Sequence, residues 1–151
     1  ITVHETGATP LSDFGTIRAA LTTDRTIDIV TTGAKTDIQR ETEIWFTNID
    51  GRIIICGTPA AKGKRGPRAP RHWLANLIAN PEFQFRLKES LEISLPARAT
   101  VVRQPAERRA IMSAAETQWY RDQGYSLDEL VDCAPIVDVM FTGPYAALNR
   151  R

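Results

Sequence analysis

Residues 83–101 read FQFRLKESLEISLPARATV. Phe83, Phe85 and Leu87 alternate with Gln84, Arg86 and Lys88, the period of a strand with one buried face. From Leu91 to Val101 every odd position is apolar, which predicts a second, long strand. Ala97 and Ala99 leave room for something bulky across the core. Pro96 lies on the opposite parity and has no N–H to donate, so the spacing predicts a bulge or bend there.

The same period recurs on either side of this stretch. Ile27 to Thr32 is β-branched, alternating and stopped by Gly33. Arg40 to Thr47 is a further strand, and Asp50-Gly51 carries a hairpin signal into Arg52–Cys56. The unbroken Ile53-Ile54-Ile55 run implies burial on both faces. Ile136 to Phe141 closes the chain as a last strand. Helical spacing appears in Ser12–Leu21, in Arg71–Asn80, and after Pro105, where Ile111, Ala115, Gln118 and Trp119 share one side as far as Gly124. Ser126 with Glu129 forms a capping-box pattern for a short helix ending near Cys133. Six strands joined mainly by hairpins, one long and bent and one doubly buried, predict an antiparallel sheet that closes on itself with flanking helices, a mainly β (α+β) fold. Residues 1–151 make one domain, with 1–10 a loose arm.

The chain has 151 residues, 42% hydrophobic and 25% charged, with a formal net charge of +1. That composition is globular. It argues against a general nucleic-acid binder, and the aromatics are not interleaved with the cations. No apolar run approaches the roughly 20 residues of a membrane span, and the first residues lack the pattern of a signal peptide. Cys56 and Cys133 have no metal-ligand spacing and read as buried free thiols, which suits the cytoplasm. His4 and His72 are too few for a histidine-built metal centre, and no nucleophile elbow or phosphate-binding P-loop occurs. If the chain is an enzyme, a cofactor carries the reactivity.

The candidate seat for that cofactor is residues 57–81, GTPAAKGKRGPRAPRHWLANLIANP. Lys62, Lys64, Arg65, Arg68 and Arg71 are clustered here, and no Asp or Glu occurs between Asp50 and Glu82. Gly57, Gly63 and Gly66 allow backbone N–H groups to approach an anion, and Arg71 and His72 stand at a helix N-terminus. Trp45 and Trp73 are candidates to line a ring slot, with Thr47 beside the first. Tyr120 and Tyr125 are candidate proton donors to a substrate.

Thr31-Thr32-Gly33-x-Lys35-Thr36 with Arg40, RIIICGT, the basic loop and Trp73-Leu-Ala-Asn76-Leu-Ile-Ala79-Asn80-Pro81 together resemble the deazaflavin-dependent nitroreductase family. That family lies within the split-barrel group that includes pyridoxamine-phosphate oxidases. Ala34 and Asp37 depart from the family's usual Arg and Gly. The resemblance implies a six-stranded split β-barrel, a homodimer, and the cofactor F420, with FMN or haem as the alternatives. It places Lys35, Arg40, Gly57, Thr58, Trp73 and Asn76 against the cofactor. It also implies hydride transfer to an electron-poor small molecule: a quinone, enone or nitro-aromatic. A tail of phosphate and glutamates needs several spaced cations, and the basic loop supplies more than the single phosphate of FMN would use. A binding module that holds the cofactor without turnover is the non-enzymatic alternative.

Overall fold

The computed structural model describes residues 14–59 and 72–149. The predicted arm 1–10, the Ser12 start of the first helix and the cations Lys62, Lys64, Arg65, Arg68 and Arg71 lie outside the described residues.

Helix α1 (Phe14–Thr23) leads into β1 (Thr26–Thr32), β2 (Gln39–Trp45), β3 (Thr47–Ile49) and β4 (Arg52–Cys56). Helix α2 (His72–Ala79) precedes the hairpin of β5 (Glu82–Leu87) and β6 (Ile93–Val101). Three short helices, α3 (Pro105–Ser113), α4 (Gln118–Arg121) and α5 (Leu127–Cys133), come before β7 (Ile136–Phe141) and a closing 3-10 turn, Gly143–Asn149. The strands form one seven-stranded sheet in the order β2-β1-β5-β6-β7-β4-β3, with every pair antiparallel.

The edge strands reveal the closure. β2 and β3 occupy opposite edges, yet only Phe46 separates them in the chain. The sheet must therefore curl until its edges meet. Phe46 is the pivot: its N–H donates to the Arg25 carbonyl (2.9 Å), its side chain is 4% exposed, and its ring meets Phe85 edge-on at 5.3 Å. The predicted single strand 40–47 is thus two, which makes seven strands rather than six. The Asp50-Gly51 turn behaves as its sequence predicts, with φ of 52° and 90° at the two positions.

Ile53 and Ile55 point into the barrel, where Phe85, Leu95, Val137 and Val139 fill the core. Ile54 and Cys56 point outward into a second core with Ile111, Met112, Tyr120 and Leu130. The isoleucine run is apolar throughout because it divides two cores, each buried isoleucine contributing about 1.5–3 kcal/mol.

Pro96 makes no bulge. The β5–β6 register runs unbroken through Gln84↔Pro96, and β6–β7 pairing begins at Ala97↔Phe141. The Thr142 N–H donates to the Pro96 carbonyl at 3.0 Å, and β7 ends at Phe141, so no donor is required of Pro96. The predicted helix after Pro105 is also not continuous. Ala114 is extended (φ −68°, ψ 153°) and separates α3 from a 3-10 turn and α4. The carbonyls freed by this break are satisfied: Thr117 Oγ1 donates to Ile111 (2.7 Å) and Ala114 (3.0 Å), and Arg121 donates to Met112 and Ala114. The capping box of Ser126 and Glu129 is present. Cys56 is buried as expected, whereas Cys133 is exposed on the last turn of α5.

Candidate functional site

The strand registers bring one end of the barrel together. β1 ends and β2 begins there, and β4 ends there at Cys56, opposite Ile136. β5 starts there at Glu82, opposite Arg98, and β6 ends there at Val101, opposite Val137. Both described borders of the basic segment, Pro59 and His72, therefore open at this end. Gly57 is fixed to it by its N–H to the Pro135 carbonyl (3.0 Å), and Thr58 beside it is half-buried.

Helix α2 crosses this end and holds the β1–β2 turn. The Asn76 side chain is in the buried class at 6% exposure. Its Oδ1 accepts from the Ala34 N–H (2.9 Å) and its Nδ2 donates to Thr31 Oγ1 (3.2 Å). One turn later, Asn80 Nδ2 donates to the carbonyls of Thr32 (3.3 Å) and Gly33 (3.1 Å). The turn closes on itself through the Gly33 N–H and the Ile38 carbonyl (2.9 Å). A Cβ at Gly33 would sit 2.8 Å from Thr36 Oγ1 and 2.9 Å from the Thr36 carbonyl, so only glycine fits this crossing. The T-T-G and N-x-x-x-N signatures, 45 residues apart at Thr31 and Asn76, thus hold each other. The Asn76 amide is engaged by the turn that carries Lys35.

Lys35 is exposed at the tip of that turn, and Arg40 is exposed on the side of β2 that Thr42 and Ile44 continue inward. Neither has a hydrogen bond or ion-pair partner among the described residues. All but one of the other described cations are engaged. Arg52 pairs with Glu107 and Asp138, Arg86 with Glu41, Lys88 with Asp28 and Glu43, Arg98 with Glu82, and Arg109 with Asp128. Arg18, Arg108 and Arg121 donate to main-chain carbonyls, and Arg25 lies over the Trp45 ring at 4.5 Å. Arg103 is the third described cation without a partner, and it follows β6 at the same end of the barrel. Cations left unpaired on one face make it a ready seat for an anion.

His72 is exposed as the first residue of α2, and Trp73 is half-buried against the barrel core. Trp45 does not join it. It sits at the far end of β2 from Arg40, paired with Thr26, on the opposite side of the strand. At five residues it is about 17 Å along the strand from Arg40. Its contacts are Arg25 and Trp119, the latter edge-on at 5.2 Å. The expected two-tryptophan slot is therefore not formed. Thr47 pairs with Ile54 across the β3–β4 ladder.

Tyr120 is 5% exposed in the outer core, with its hydroxyl directed at the Cys56 carbonyl (3.4 Å). Burial, then the nearby Cys56, pushes its ionisation up, against an opposing effect of Arg25. Its side chain belongs to the outer core. Tyr125 is half-buried at the edge of the same core. Burial also pushes the Cys56 thiol up to about 12. Among the described residues no group of three His, Cys, Asp or Glu is placed to hold a metal ion, and no helix is long and apolar enough to cross a membrane.

Solved structures share the architecture. A conserved hypothetical protein of Mycobacterium tuberculosis superposes with a TM-score of 0.58 at 16% identity, covering 85% of this chain and 80% of its own. A Listeria innocua protein assigned as a pyridoxamine 5'-phosphate oxidase gives 0.57 at 10%, covering 86% and 94%. A structure described as an F420 reductase gives 0.54 at 14%, covering 83% and 93%. At these identities the likeness is one of fold, the split β-barrel. Comparison with curated proteins finds no match. The sequence model of the F420H(2)-dependent quinone reductases matches residues 12–130, so the chain belongs to that family of F420-dependent reductases.

Proposed function

We propose that this protein uses reduced F420 to reduce an electron-poor small molecule such as a quinone, enone or nitro-aromatic. The observation that carries the reading is the unpaired Lys35 and Arg40 at the barrel end where the basic segment begins and ends. An anionic tail fits such a face, because each charge-assisted hydrogen bond to a phosphate or carboxylate contributes about 1.5–3 kcal/mol.

In this reading Lys35 and Arg40 take the tail phosphate. Lys62, Lys64, Arg65, Arg68 and Arg71 take the glutamates, with His72 at the α2 N-terminus. Trp73 borders the ring, Gly57 and Thr58 approach it from the end of β4, and Asn76 acts one step back by holding the turn. Bound F420 supplies the hydride chemistry; the side chains bind, orient and exclude water. Tyr125 is the remaining candidate to deliver a proton to the acceptor. The reading also carries a homodimer working in the cytoplasm.

Anaerobic turnover tests the function. Reduced F420 should be oxidised on adding menadione, at a rate that saturates with menadione and falls at least tenfold in Lys35→Glu. Tight F420 binding with no acceptor-dependent oxidation would reduce the protein to a cofactor-holding module.

A further inference from the structure

Across α2 from the Gly33 turn lies a groove of about 410 Å³, within the size range of small-molecule sites. Leu74, Val101 and Pro135 form its apolar wall, and Arg103, Asp132 and Cys133 stand on its polar side. Arg108 also borders the groove, but its guanidinium is committed: it donates to the carbonyls of Val131 (2.6 Å), Val102 (2.8 Å) and Ala134 (2.5 Å). Those three bonds tie the C-terminus of α5 to the end of β6 and so fix the groove's shape. Arg103 is thus the available cation. It is exposed, lacks a hydrogen bond or ion pair among the described residues, and does not pair with Asp132 although both face the same space.

We propose that this groove binds a planar apolar ring carrying one anionic substituent, with Arg103 as the anchor for the anion. Resting on the reductase reading above, that ring is the acceptor. The chemistry argues against the cofactor tail as occupant. A chain of carboxylates gains nothing from an apolar wall and is repelled by Asp132, whereas an aromatic acceptor buries its faces against Leu74, Val101 and Pro135. The position suits an acceptor as well. Leu74 follows Trp73 directly, and Pro135 at the groove's edge receives the N–H of Gly57, so the groove adjoins the proposed cofactor seat without overlapping Lys35 or Arg40.

The exposed Cys133 thiol reports occupancy, since Cys56 is buried and will not compete for a maleimide. The test is the rate of Cys133 alkylation by N-ethylmaleimide in the F420-free protein, with and without anthraquinone-2-sulfonate. The ring of that quinone has no free position for thiol addition. Saturating sulfonate should slow alkylation at least fivefold. Arg103→Gln should raise the half-protecting concentration about tenfold, the lower range of a charge-assisted hydrogen bond. The neutral 2-(hydroxymethyl)anthraquinone should protect more weakly and equally in both proteins. Absence of protection, or equal protection by the sulfonate in Arg103→Gln, would overturn the assignment. So would protection by F420 alone, which would make the groove part of the cofactor seat. A separate F420 titration keeps the two readings apart: failure to bind F420 with sulfonate protection intact removes the reductase reading and leaves the groove's ligand class standing.

Discussion

Lys35 and Asn76 divide one task between them. Lys35 presents a charge, and Asn76, buried beneath it, holds the main chain that carries it. Truncating Asn76 to Ala leaves the Ala34 N–H and the Thr31 hydroxyl without their partner, a cost of about 1–3 kcal/mol. The expected result is a lower midpoint of chemical denaturation together with weaker F420 binding. Lys35→Ala should weaken binding about tenfold with unchanged stability, because the side chain is exposed and has no partner among the described residues. Gly33→Ala is the steric counterpart: the Cβ would be forced against Thr36, and overpacking of that kind costs about 1–3 kcal/mol. The cost should appear in the denaturation midpoint. Cys56 adds a pH dependence. Its thiol ionises near 9.0 when unperturbed and is pushed up to about 12 by burial in the fold. The folded state therefore holds a proton that the unfolded state releases above pH 9. Its contribution is complete below about pH 9 and is lost as the pH rises toward 12. Melting temperature should fall across that window, and less steeply in Cys56→Ala.

Helix α2 links two features that are far apart in the chain. Its N-terminus receives the basic segment, and its Asn76 and Asn80 fasten the β1–β2 turn. If α2 sets the position of Lys35, removing Asn76 should remove most of what Lys35 contributes. A double-mutant cycle on F420 affinity should then show Lys35→Ala costing much less in the Asn76→Ala background than in the native protein; additive losses would mean that Asn76 serves stability alone. Elements also differ in how legible they were. The capping box of α5 and the Asp50-Gly51 hairpin are local chemistry and could be read directly. The break at Ala114 could not, since it is compensated by Thr117 and Arg121, whose bonds to the freed carbonyls depend on tertiary placement. Pro96 is hard to read from sequence for a related reason. A proline donates nothing, but whether that matters depends on where the neighbouring strand ends.

For the whole molecule, strand alternation and the doubly apolar Ile53–Ile55 run were enough to predict a closed antiparallel sheet. The seam was not visible, because Phe46 looks like one more residue of a continuous strand. Only pairing partners show that Trp45 belongs to one edge and Thr47 to the other. Trp45 and Trp73 are kept apart because Trp45 lies at the end of β2 far from the β1–β2 turn that α2 holds. In the candidate site, the cations at Lys35 and Arg40 were legible through their motif. Arg103 was not, because its significance lies in what fails to pair with it.

In the proposed function the cationic barrel end holds the anionic tail of F420. Equilibrium titration with F420 of increasing glutamate number, alongside FMN, tests it most directly. F420 should bind at least tenfold more tightly than FMN, with an affinity that rises with tail length. Lys62→Glu combined with Lys64→Glu should flatten that rise. Equal affinity for FMN, or an affinity indifferent to tail length, would contradict it.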